Sequence, residues 1–268
     1  MLAGLLCTFS LVGCDDLLSD SGGGSSHGGD KFVPMTGDGR PSGSGSSTTS
    51  DETQKPSGNY TKRVAMTFDD GPHETRTRKI VDELAKYGYH ATFFVVGNRV
   101  DGTEYRGGAE MKYAVSMGNE IGIHAYTHDV YYDENPAEYN EEIRLTAVAI
   151  KSVVPNYKVK LLRPAGGKIT DAQVAASKYS IIMWGVDSED WRYRSDDNGV
   201  DIIVDNVMSN VRDGSIILMH DIYENTYLAT VKILKRLHEE GYEVVTVSEL
   251  IGKDIKAGKM YYRKPKET

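Results

Sequence analysis

The chain has 268 residues, 39% of them hydrophobic, and a formal net charge of −8, enough for one large domain or two small ones around an ordinary apolar core. The acidic balance excludes recognition of nucleic acid or of an anionic membrane through a basic face. Both cysteines, Cys7 and Cys14, fall in the first fourteen residues, which excludes a disulfide or a thiolate metal site from everything that follows.

Residues 1–14 are apolar but far too short to cross a bilayer. Their end, Leu11-Val12-Gly13-Cys14, resembles the box that closes a bacterial lipoprotein signal, although the basic residues usual at such an N-terminus are missing. The resemblance implies an exported membrane lipoprotein facing the cell envelope, with a lipid on Cys14 as its sole membrane contact. A plain export signal with a secreted protein, and an apolar N-terminus buried in the fold, are the alternatives. Residues 15–58 are Gly, Ser, Thr and Asp with few large apolar side chains, too few to offset the entropy of ordering. They predict a disordered tether with a span on the order of 35–40 Å.

Residues 59–255 predict the folded domain, and 256–268 a C-terminal tail. Runs rich in β-branched or aromatic residues at 64–68, 91–97, 120–124, 159–163, 181–186, 215–219 and 243–247 predict seven strands. Between the first two, the run from Thr77 to Gly88 sets Ile80, Val81, Leu84 and Tyr87 on one helical stripe and ends at a glycine suited to a C-cap. Further helices are predicted over 136–153, 171–179, 201–212 and 229–240. Near-continuous apolar strands alternating with amphipathic helices imply a parallel sheet covered by helices. The expected fold is an irregular (β/α) barrel, with an open doubly wound sheet as the alternative.

The polar residues gather where strands end. Asp69-Asp70-Gly71-Pro72 closes the first strand, and Asp-Gly and Gly-Pro alone would make a plain turn. Yet His124 ends the third strand, Arg163 the fourth, Asp187 follows the fifth and His220 the sixth. In a barrel these strand ends share the face on which enzymes assemble their sites. His124 and His128, four residues apart, can lie on one side of a turn, and by themselves read equally as structural or exposed side chains. Joined to a carboxylate at the same end, they form a two-histidine, one-carboxylate metal site with open positions. Such a site can polarise a carbonyl and bring the pKa of a water toward ~7.

Five motifs, in order over about residues 60–252, resemble those of the polysaccharide deacetylases of carbohydrate esterase family four. By that resemblance "TFDDG" supplies the general base, Asp69, and a metal ligand, Asp70. "HAYTH" supplies the other ligands, His124 and His128. "RPAGG" contributes Arg163, paired with the base, and a backbone N–H near Gly166 for the oxyanion. "DSEDW" gives the orienting Asp190 and the pocket-wall Trp191. "IILMH" gives the pocket residue Leu218 and the acid His220. The sequence departs from the family at Ala125, where a Ser or Thr usually steadies the histidine loop, and at Ala165 and Gly166, where Pro and a bulky aromatic are usual. The first change is expected to loosen the metal site, and the second to remove a wall over the sugar.

The resemblance implies a hydrolase that removes acetyl groups from N-acetylglucosamine units of an envelope polysaccharide, peptidoglycan first. An O-acetyl xylan or chitooligosaccharide deacetylase is the alternative, and a non-catalytic glycan-binding lipoprotein the reading from another class. The cofactor is one divalent ion, zinc in the first place, with cobalt or nickel also compatible with these ligands. A monomer is expected. Trp184 reads as core, and Glu74, Glu189 and Asp221 as solvated or locally hydrogen-bonded. His90 and His238 read as ordinary helix or loop residues, and the tyrosines at 131–132 and 223–227 as possible sugar-stacking rings.

Overall fold

The computed structural model describes residues 60–102 and 106–265. The expected signal, the Cys14 lipid site and the tether lie outside them. Among the described residues nine short strands pair throughout in parallel: β1 (Lys62–Asp69), β2 (Thr92–Val96), β3 (Glu120–Ala125), β4 (Leu161–Leu162), β5 (Ser180–Ile182), β6 (Val186–Asp187), β7 (Ile216–His220), β8 (Tyr242–Val244) and β9 (Met260–Tyr261). Their order is β6-β7-β1-β2-β3-β4-β5-β9, with β8 pairing the start of β1. Among the described residues, eight α-helices connect or flank them: α1 (Arg76–Ala85), α2 (Gly97–Asp101), α3 (Gly108–Ser116), α4 (Pro136–Val153), α5 (Asp171–Ala176), α6 (Gly199–Asn210), α7 (Glu224–Glu239) and α8 (Val247–Ile251).

The sheet is parallel because its central strands are apolar on both faces. All five residues of β2 and the last six of β1 are buried, as strands covered on both sides by helices must be. Ile80, Val81 and Leu84 bury the predicted stripe of α1, and α4 coincides with its predicted span. The expected irregular (β/α) barrel is the fold observed.

The predicted strand 181–186 is two strands, β5 and β6, on opposite flanks of the sheet. The residues between them, Met183 to Gly185, carry the chain across: Met183 N–H donates to Tyr261 O at 2.8 Å and Gly185 N–H to Ile216 O at 3.0 Å. A single apolar run therefore joins the two sides of the sheet. The expected tail also contributes structure, since β9 pairs with β5 and Lys264 N–H donates to Gly214 O, ahead of β7, at 2.8 Å. Strand 243–247 is shifted, with β8 ending at Val244 and a capping box at Thr246 opening α8.

Candidate active site

Asp69 ends β1, Asp70 follows it, His124 is the penultimate residue of β3, and His220 ends β7. Parallel pairing puts β1 beside both β2 and β7, with Asp69 level with His220. The expected convergence at the C-terminal strand ends is therefore a matter of register.

Asp70 and His128 both adopt left-handed backbone, φ 70° and 71°, a conformation a non-glycine residue keeps only where its surroundings impose it. It turns their side chains to one point. Asp70 Oδ1 lies 3.5 Å from His124 Nε2 and 3.4 Å from His128 Nε2, and one atom from each of the three residues lies within 4.8 Å of the others. That oxygen is buried without a hydrogen-bond partner among the described residues. His124 Nδ1 stands 2.7 Å from the Arg163 carbonyl; a carbonyl can only accept, so Nδ1 carries the proton and Nε2 keeps its lone pair toward Asp70. Burial, the largest influence, pushes His124 down to about 3, so the ring is neutral and the contact to Asp70 is no salt bridge. Ligands ~2.1 Å from a tetrahedral ion sit about 3.4 Å from one another. The three atoms have the chemistry and the spacing to hold one divalent cation.

Arg163 directly follows β4 and is wholly buried. Nη1 donates to Asp69 Oδ1 at 2.7 Å and to Thr67 Oγ1 at 2.8 Å, Nε to Ile182 O at 2.9 Å, and Nη2 to Met183 O at 3.1 Å. Its plane lies 4.3 Å from the Phe94 ring centroid, a favourable cation–π seat. Burial pushes the Asp69 carboxyl above its ordinary range, opposed by the Arg163 guanidinium. The guanidinium opposes this rise without cancelling it. A raised carboxyl is the more basic one.

On the other side, Asp190 is fully buried. Its Oδ1 pairs with His220 Nδ1 at 2.7 Å, and Oδ2 accepts from His220 N–H and Thr226 Oγ1, each at 2.7 Å. Burial alone would lower the His220 pKa, but the Asp190 carboxylate outweighs it and raises the pKa to about 9. Leu218 is buried on β7, while Trp191 is 42% exposed and free to wall a pocket. Gly166 sits at φ 60° with Tyr131 near the space a Cβ would take. That ring, under the Lys168 ammonium at 4.0 Å, stands beside the position where an aromatic side chain was expected to be missing.

Among the other expectations, Asp221 is fully buried and its Oδ2 accepts from the Thr77 hydroxyl. Burial raises its pKa to about 7. Trp184 is half-buried and packs against the hydrophobic core, as expected, with its ring 5.6 Å from the Arg163 guanidinium. Glu189 pairs with Arg192 at 3.2 Å. Sequence reading missed Tyr139, Glu142 and Thr146 on α4. The Tyr139 hydroxyl donates to His124 O and accepts from Ala165 N–H at 2.9 Å. Polar residues at helical spacing on a stripe otherwise made by Ile143, Ala149 and Ile150 were the available signal.

A family model described as polysaccharide deacetylase matches residues 57–180. The chain is 39% identical over 189 residues to the peptidoglycan-N-acetylmuramic acid deacetylase PdaC of Bacillus subtilis, and the match spans 70% of this chain but 38% of that protein's length. It is 36% identical to a peptidoglycan-N-acetylglucosamine deacetylase of Bacillus cereus, covering 72% of this chain and 90% of the relative. A family 4 acetyl xylan esterase from Clostridium thermocellum, solved with a cobalt ion, superposes with a TM-score of 0.67 at 30% identity, over 76% of this chain and all of the other. The chain belongs to the polysaccharide deacetylase family.

Proposed function

We propose that the protein is a metal-dependent deacetylase of N-acetylglucosamine units in a cell-envelope polysaccharide, with peptidoglycan as substrate. The observation that carries this reading is the convergence of the orphaned Asp70 oxygen with two imidazole nitrogens, flanked by Asp69 on one side and the Asp190–His220 pair on the other. Amide hydrolysis needs those parts: a base to take a proton from water, and an acid to protonate the departing nitrogen.

Asp70, His124 and His128 would hold the ion, which when bound supplies Lewis-acid polarisation of the acetyl carbonyl. Asp69 accepts a proton as the water oxygen bonds to the carbonyl carbon. His220 donates its Nε2 proton to nitrogen as the C–N bond breaks, leaving acetate and a free amine. Asp190 holds Nδ1–H and so aims Nε2 at the substrate. The amides of Ala165, Gly167 and Lys168 donate to Tyr139, Pro164 and Ala165, and the Gly166 N–H between them is the proposed oxyanion donor. Leu218 and Trp191 line the acetyl pocket. Peptidoglycan fits the lipid anchor proposed at Cys14, since a tethered domain meets the wall outside its own membrane. Zinc is the proposed ion.

The test is acetate release from peptidoglycan, chitooligosaccharide and acetylated xylan, before and after chelation. The reading expects release from peptidoglycan to be fastest, to disappear on chelation and to return with zinc. Faster release from xylan would transfer the proposal to the esterase alternative. No release from any substrate by the zinc-loaded protein would make it a binding module.

A further inference from the structure

Tyr139, Glu142 and Thr146 lie three and four residues apart on α4, so their side chains leave one face of the helix. All three are buried against the end of β3. They grip consecutive residues of one segment: Tyr139 holds His124 O, Thr146 Oγ1 donates to Ala125 O at 2.7 Å, and Glu142 takes the two residues that follow. Glu142 Oε2 accepts from Tyr126 N–H at 2.8 Å, Thr127 N–H at 2.6 Å and Thr127 Oγ1 at 3.1 Å. Three donors converging on one buried carboxylate oxygen make charge-assisted bonds of the stronger kind.

The next residue is His128, in the left-handed conformation that its neighbours must impose. A free loop would relax it, and His128 Nε2 would leave the point it shares with Asp70 and His124. Ala125 offers only a methyl group where a hydroxyl was expected to steady this loop. We propose that Glu142 is a positioning residue for the metal site: by fixing the amides of 126 and 127 it holds His128 to its ligand geometry, a task moved from the strand to the facing helix. The inference rests on the metal reading above and adds to it the device that keeps the ligands together.

The test is a cobalt titration of the full chain, followed by visible absorbance and calorimetry, with circular dichroism to verify folding. Wild type should bind one equivalent and His128→Ala should not; that pair tests the metal reading alone. Glu142→Gln keeps the shape and one acceptor oxygen, and should weaken cobalt binding about 10-fold; Glu142→Ala should weaken it about 100-fold, the range typical of groups that orient metal ligands. The thermal stabilisation gained on adding cobalt should shrink in the same order. A merely structural Glu142 would lower the melting temperature of the metal-free protein and leave the cobalt affinity of the folded variant at the wild-type value, which would overturn the proposal. If Glu142→Ala does not fold, Glu142→Gln decides. Wild type that binds no cobalt would overturn both readings together.

Discussion

His220 sits under two opposed influences, burial that disfavours its charge and the Asp190 carboxylate that favours it, and the second prevails with a pKa of about 9. The charged ring is the form that can donate a proton, so the alkaline limb of kcat/KM belongs near that value and the acid limb to the base side of the site. Replacing Asp190 with Asn removes the favourable charge and leaves burial unopposed. The alkaline limb should then move to lower pH and the maximum rate fall by ~10²-fold or more, while the acid limb stays nearly in place. A pH–rate profile of Asp190→Asn with an unmoved alkaline limb would remove His220 from the role of acid. The same pair carries a stability signature. Because the folded pKa is raised above the ordinary 6.5, the pair's contribution is fully present below pH 6.5 and is lost as pH rises through about 9. The stability difference between wild type and His220→Gln should therefore narrow across that window.

At the scale of the elements, strand ends were legible and strand partners were not. Asp69, His124 and Arg163 could be assigned to strand termini because apolar runs stop there and charge begins, a purely local signal. Nothing local told that Val186 would leave Ile182 for the far side of the sheet, or that Met260-Tyr261 would become a strand, since two-residue strands have no period to read. The α4 clamp escaped for a related reason: Glu142 looks like a solvated helix residue until β3 is seen to end against it. Register also explains a glycine. Gly122 faces Phe94 across β3 and β2, and a Cβ there would come within 2.5 Å of the Phe94 ring, which also packs against the Arg163 guanidinium. Gly122→Ala should cost about 1–3 kcal/mol, the usual penalty of overpacking, read as a fall in the urea midpoint at unchanged slope. It should also lower kcat, because a displaced ring disturbs the seat of the arginine that holds Asp69. A variant as stable and as active as wild type would show that the strands separate freely at this point.

For the whole molecule, the reading of an anchored enzyme divides the chain into a working domain and a leader that sets where it works. Cys14→Ala should move the protein from the membrane fraction to the soluble or secreted one, with acetate release by the purified domain unaltered; membrane association that persists in the variant would count against the lipid. Within the domain, Arg163 has a double attachment. Two of its nitrogens hold the carbonyls of Ile182 and Met183, where the chain leaves β5 to cross the sheet, while a third holds Asp69. A buried guanidinium bonded in this way cannot be lost without stranding those carbonyls, whatever becomes of the chemistry. The five motifs are thus unequal as witnesses. A descendant of this chain that gave up hydrolysis would be free to exchange Asp69 or His220, yet would be under pressure to retain its arginine for the architecture alone. Arg163 thus speaks for the architecture whatever the chemistry, while on the proposed mechanism it is Asp69 and His220 that separate a working catalyst from a silent copy of the same fold.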